Sequence, residues 1–164
     1  MQLDSTSLMP DQYHNRFPAA DASELTYHAT LESLLAVSDV LCVCAPSTPQ
    51  TRGVLGATQL ALLPPRAILV NIARGDIVDE PALIEALDGG RLHAAGLDVF
   101  CNEPAINPRF LALPRTTVLP HIGSATEEAR TAMGLITLSA LEGWLLNRQC
   151  AGNCLNPATL GNAV

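Results

Sequence analysis

Arg74, Glu103 and His121 are the residues of this chain whose types could together handle a small acid. The planar guanidinium of Arg74 can clamp a carboxylate through two parallel hydrogen bonds, a geometry that lysine does not reproduce. His121 can move a proton near neutral pH, and Glu103 beside it would hold the ring and favour its charged form. A cation, a proton donor and a carboxylate are what reduction of a 2-oxo acid needs. Arg74 would grip and polarise the substrate, while the His121 imidazolium gives its proton to the forming alkoxide as hydride arrives from a nicotinamide. Plainer readings compete: a lone Arg near a turn is usually a solvated charge, and a Glu before Pro usually belongs to a surface loop. His14, His28 and His93 are read as packing or surface residues. His121 differs by its company, because three suitable residue types recur at three successive strand ends.

The elements that must deliver them can be read from the apolar pattern. The run from Ala67, rich in Ile, Leu and Val, reads as a strand buried on both faces that ends at Asn71, Arg74 and Gly75. Similar strands begin near residues 40, 93 and 116, the first of them stopping at Pro46-Ser47-Thr48-Pro49. Between them fall helices at Leu31 to Val37 and Ala57 to Leu63, and one that Asp79 caps, Glu80-Pro81 opens and Gly89-Gly90 closes. A long helix from Ala125 to about Leu146 carries Glu127 and Glu128 in its positive first turn and Arg148 beyond its end. This alternation predicts an α/β fold of right-handed βαβ units with a parallel sheet. Parallel strands bring their carboxyl ends to one edge, which would receive Ser47, Arg74, Asp98, Glu103, His121 and Ser124.

Composition narrows the classes of function. The chain has 164 residues, 48% of them apolar and 15% charged, enough for one domain with a sizeable core. Its net charge of -7 supplies no basic field for a nucleic acid or an anionic membrane. Residues 1 to 20 do not read as a signal peptide, and no apolar run reaches the ~20 residues of a membrane span. Five cysteines without paired metal spacings argue for reduced thiols, no metal site and the cytoplasm. Cys42 and Cys44 fall on one face of the Val40 strand. Pro10 and Asp11 interrupt whatever strand might lead into Tyr13, so residues 1–12 are expected to fray.

The segments N-I-A-R-G-D-I-V-D-E (71–80), A-G-L-D-V-F-C-N-E-P (95–104) and L-P-H-I-G-S-A-T (119–126) resemble the nucleotide-binding domain of the D-isomer-specific 2-hydroxyacid dehydrogenases, most of all the glyoxylate and hydroxypyruvate reductase branch. The resemblance runs from about Tyr13 to Leu146 and implies a Rossmann-like sheet with flanking helices. It implies Arg74 as the substrate-binding arginine, Glu103 as the carboxylate partner and His121 as the acid/base. Asp98 would contact the nicotinamide carboxamide, Gly123 would admit the cofactor to the backbone, and Ser47 and Thr51 would line its adenosine-side and ribose regions. Ala45, Pro46, Ile72 and Ala73 would complete the cofactor contacts, alongside Arg74 and His121. Tyr13-His14-Asn15-Arg16 resembles the segment after the family's second strand, where an acidic residue usually holds the adenosine ribose. Asn15 and Arg16 stand there instead, which favours NADP over NAD because an arginine can pair with a 2′-phosphate. The full-length family member is expected to be a homodimer acting on a small 2-oxo acid.

The chain also departs from the family. No Gly-x-Gly occurs, so the turn that seats the pyrophosphate is absent, as are the first strand and the substrate domain. The expected layout is a non-family segment at 1–12, a partial NAD(P)-binding domain at 13–148 and a tail at 149–164. Without the central first strand, the strand at Val40 is expected to lack a bridge to the strand at Ala67. Unpaired strand edges then predict that the chain alone folds poorly, self-associates or is a fragment of a longer protein. A non-catalytic dinucleotide-binding or dimerisation module, or an inactive fragment of the enzyme, is the alternative reading.

Overall fold

A computed structural model of the chain describes residues 11–150, 152, 154 and 155. The frayed segment expected at 1–12 lies outside the described residues up to position 10, as does most of the expected tail. The chain forms two compact units, Met1–Pro120 and His121–Val164.

The first unit holds two parallel sheets. Strands β1 (Gln12–His14) and β2 (Thr26–His28) form one, with Tyr13 opposite Tyr27. Strands β3 (Val40–Val43), β4 (Ile68–Asn71), β5 (Ala94–Leu97) and β6 (Thr116–Val118) form the other, paired in that order. Helix α1 (Leu31–Leu35) links the sheets in sequence, and α2 (Ala57–Leu62), α3 (Glu80–Asp88) and the single turn α4 (Arg109–Ala112) are the remaining crossovers. All pairings are parallel, so the predicted shared carboxyl edge is present.

One expectation is overturned. The strand at Val40 does not lack a bridge to the next: β3 pairs directly with β4, Val40 opposite Ile68 and Val43 opposite Asn71. In the usual order the first strand separates the second from the fourth, and the fourth and fifth touch. The break therefore falls between β1 and β3, whose outer edges have no strand partner among the described residues.

Burial explains the sheet. In β3, Leu41 and Val43 are buried while Val40 and Cys42 are exposed, the alternation of a strand with one covered face. Leu69 is fully buried in a core that includes Leu35, Leu60, Leu63, Ile77, Leu83, Ile84, Leu92 and Phe110. Fully burying such side chains contributes about 1.5–3 kcal/mol each before conformational entropy is set against it. Helix α3 turns Leu83, Ile84 and Leu87 inward, and Pro81 sits in its first turn, where no backbone N–H is missed. Its cap is Asp79, whose Oδ1 accepts from the Ala82 N–H at 2.9 Å. Asp79→Ala leaves that donor open and is expected to destabilise the unit by about 1 kcal/mol, read as a lower urea midpoint; an unchanged midpoint would refute the cap's contribution.

The remaining histidines have structural partners. His14 Nδ1 lies 2.8 Å from the His28 carbonyl oxygen, His28 Nε2 lies 2.6 Å from Gln12 Oε1, and His93 Nδ1 lies 3.4 Å from an Arg66 guanidinium nitrogen.

The second unit is built on α5 (Glu127–Asn147). Thr126 caps it, its hydroxyl oxygen accepting from the Ala129 N–H at 3.1 Å. The Glu128 carboxyl is held below the usual carboxylate range, first by its own backbone N–H and then by the Thr126 side chain. At the other end Arg148 turns left-handed (φ 55), and the N–H groups of Arg148 and Gln149 return to the carbonyls of Trp144 and Gly143. Among the described residues no helix is long and apolar enough to cross a membrane.

Candidate active site

The tip of β4 is built around a buried asparagine. Asn71 is only 2% exposed, and its amide works in two directions: Nδ2 donates to the Arg74 carbonyl at 3.0 Å, and Oδ1 accepts from the Ala73 N–H at 3.1 Å. The chain from Ile72 to Arg74 is thereby bent into a fixed loop, with Ile72 and Arg74 exposed on it. Arg74 donates to the Ala73 carbonyl at 2.5 Å, which leaves the guanidinium at the surface of the strand tip.

Gly75 follows, buried, at the start of a 3-10 turn (Gly75–Ile77). A Cβ built there would lie 2.0 Å from the Phe100 carbonyl carbon and 2.4 Å from the Cys101 nitrogen. Only glycine lets the Arg74 turn press against the Phe100–Cys101 backbone. Two residues beyond that contact, Glu103 folds back, its Oε1 accepting from the Phe100 N–H at 2.8 Å, and the Glu103–Pro104 bond is cis. The Cys101 N–H donates to Glu80 Oε1 at 2.8 Å. Three carboxylates, Glu80, Asp76 and Asp79, join burial in pushing the Cys101 thiol up to about 11, with burial the largest cause. The sequence-predicted Arg74 and Glu103 thus belong to backbone segments in direct contact, although they are 29 positions apart.

Asp76 joins a third strand tip to this assembly. Its Oδ2 accepts from the Ser47 hydroxyl at 2.7 Å and from Arg52 Nε at 3.1 Å, which ties the loop after β3 to the turn after Arg74. Backbone bonds support the same junction: the Gly53 N–H donates to the Asp76 carbonyl at 2.8 Å, and Leu55 bridges to Val78. In that loop Ala45 and Pro46 are exposed, and the Thr51 hydroxyl donates to the Pro46 carbonyl at 2.7 Å. Asp98 is 6% exposed at the end of β5, its N–H donating to the Asn71 carbonyl at 3.0 Å. Asn15 and Arg16 follow β1 at its carboxyl end, both exposed, with Asn15 Oδ1 accepting from the Arg16 N–H at 2.9 Å.

His121 and Gly123 open the second unit, and both are exposed there. His121 has φ 53, a left-handed value it shares with Arg66, Arg115 and Arg148. Asn71, Gly75 and Asp76 are the residues that sequence reading left out of the site. The signal for Asn71 is a lone amide closing an apolar strand, and that for Asp76 is a carboxylate one residue after the glycine.

Residues 6–123 match the family described as D-isomer specific 2-hydroxyacid dehydrogenase, NAD binding domain. The chain belongs to this family. It is 46% identical over 155 residues to glyoxylate/hydroxypyruvate reductase B of Pectobacterium atrosepticum, a match covering 93% of this chain and 48% of that protein. Among solved structures it is similar to a D-isomer specific 2-hydroxyacid dehydrogenase from a Polaromonas species, with a TM-score of 0.81 and 44% identity over 88% of this chain and 45% of that one. It is also similar to the NADPH-dependent glyoxylate/hydroxypyruvate reductase of Sinorhizobium meliloti in complex with NADP and malonate, with a TM-score of 0.80, 37% identity, and coverage of 86% and 44%. The chain spans about half the length of the curated relatives it matches.

Proposed function

We propose that this D-2-hydroxyacid dehydrogenase chain carries the acid/base and cofactor-side residues for reducing a small 2-oxo acid such as glyoxylate or hydroxypyruvate. The observation that carries this reading is the Gly75 contact, which sets the Arg74 turn against the segment leading into Glu103. A substrate carboxylate is gripped by the Arg74 guanidinium in two-pronged fashion. His121 then gives a proton to the oxygen of the former carbonyl, with Glu103 as the carboxylate partner. Bound NADPH would supply the hydride.

The residues present fit part of that cofactor. Arg16 and Asn15 offer a cation and an amide, with no acid, at the β1 tip, as a 2′-phosphate needs. Asp98, nearly buried at the β5 tip, has the acceptor oxygens a carboxamide needs. Ser47, Thr51, Ala45, Pro46, Ile72 and Ala73 would line the stretch between, and Gly123 would admit the cofactor to the backbone, while this sequence contains no Gly-x-Gly turn to seat the pyrophosphate. NADPH is expected to bind more tightly than NADH, and Arg16→Ala to erase the difference; titration of each reduced cofactor by fluorescence checks it. A clear preference for NADH would sink the assignment.

The chain spans about half the length of its curated relatives, and a second reading has it as a non-catalytic dinucleotide-binding or dimerisation module or an inactive fragment. NADPH binding with no glyoxylate-dependent oxidation in any assembly of the protein would support it. The domain layout of 13–148 as a partial cofactor domain belongs to the same proposal, together with a homodimeric full-length protein and a cytoplasmic location. The acidic net charge of -7 argues against a nucleic-acid partner.

A further inference from the structure

Cys42 in β3 and Cys44 just past its end point to the same side of the strand, and their sulfurs stand 3.6 Å apart. Both residues are exposed and neither is in a disulfide. A direct S–S bond would need the two Cβ atoms to approach to about 3.8 Å, whereas alternate residues of a strand advance by ~6.6 Å. The pair is instead spaced for a bridging atom. Two bonds of about 2.3 Å, as in metal thiolates, would meet at about 100° across the 3.6 Å gap. That is the angle of a pyramidal or tetrahedral centre; a linear two-coordinate ion would need sulfurs ~4.6 Å apart.

The chemistry of the bridging atom follows from what surrounds it. Structural zinc takes four protein ligands and catalytic zinc three, and the described residues contain no group of three or more His, Cys, Asp or Glu that could hold a metal. Burial, then the hydrogen bond and charge of Cys44, push the Cys42 thiol up to about 11, which disfavours any ion that requires two thiolates at neutral pH. A trivalent arsenical escapes both constraints. Its As–OH groups exchange with S–H groups: two S–H and two As–O bonds break, two As–S bonds form, two waters leave, and no oxidation state changes. We propose that Cys42 and Cys44 form a dithiol site for trivalent arsenic.

The test uses the full chain with Cys101, Cys150 and Cys154 replaced by serine, so that only the pair remains, and phenylarsine oxide as the probe. One phenylarsenic group per chain is expected by intact mass, with both titratable thiols lost. The adduct should survive excess monothiol and be removed by a dithiol. Cys42→Ser and Cys44→Ser, each tested separately, should weaken retention by about 100-fold or more, because the second thiol acts intramolecularly. Circular dichroism checks that each variant keeps its fold. Two free thiols after treatment, or equal retention by a single-thiol variant, would overturn the proposal.

Discussion

Gly75→Ala is expected to destabilise the first unit by about 3 kcal/mol or more, near the upper end of single substitutions. The added methyl would fall 2.0 Å from the Phe100 carbonyl carbon and 2.4 Å from the Phe100 oxygen and the Cys101 nitrogen. All three are backbone atoms, so no side chain can swing aside to admit it. Either the turn carrying Arg74 or the segment leading to Glu103 has to move. The turn is held by Asn71, by the Asp76–Ser47 bond and by the Leu55–Val78 bridge. The other segment is held by Glu80 and by Glu103 itself. A urea unfolding series measures the loss, and a midpoint equal to that of the parent chain would show that the contact is looser than described. On the proposed reading, a displacement of ~1 Å would cost about 100-fold in rate in an assembled enzyme, because Arg74 would no longer be set for the substrate carboxylate.

Much of this arrangement was legible in the sequence, for identifiable reasons. Strands β3 to β6 each show as an apolar run that stops at polar or glycine-containing residues, and the crossover helices between them announce their ends through Asp79, Pro64-Pro65 and Gly89-Gly90. Strand β2 went unread because three residues, Thr26-Tyr27-His28, are too few to display an alternation. Helix α4 hid in a proline-rich loop because a single turn has no period to detect. The error over the Val40 strand was one of topology: pairing depends on spatial order, and β3 meets β4 directly. Within the candidate site, Arg74 and Glu103 stand out as candidates by chemistry and motif. The fit that joins their segments could not, since it depends on what a side chain at Gly75 would strike in a strand end 25 positions away. The Ser47–Asp76 bond is equally non-local.

His121→Ala is expected to have the larger effect on chemistry. Reduction of a 2-oxo acid leaves negative charge on the former carbonyl oxygen, and a positioned acid that protonates it contributes about 10²–10⁴-fold in rate. Alanine would remove the proposed proton donor and leave Arg74, the proposed carboxylate clamp, so the loss should fall on kcat far more than on KM.

The most direct measurement places this chain in the Pectobacterium atrosepticum reductase, in exchange for the 155-residue segment it matches, and follows glyoxylate-dependent NADPH oxidation with and without His121→Ala. Turnover by the chimera is expected, with a fall in kcat of about 10²–10⁴ on loss of the histidine. A chimera that binds NADPH but never reduces glyoxylate, or one that turns over equally well without His121, would contradict the proposed function.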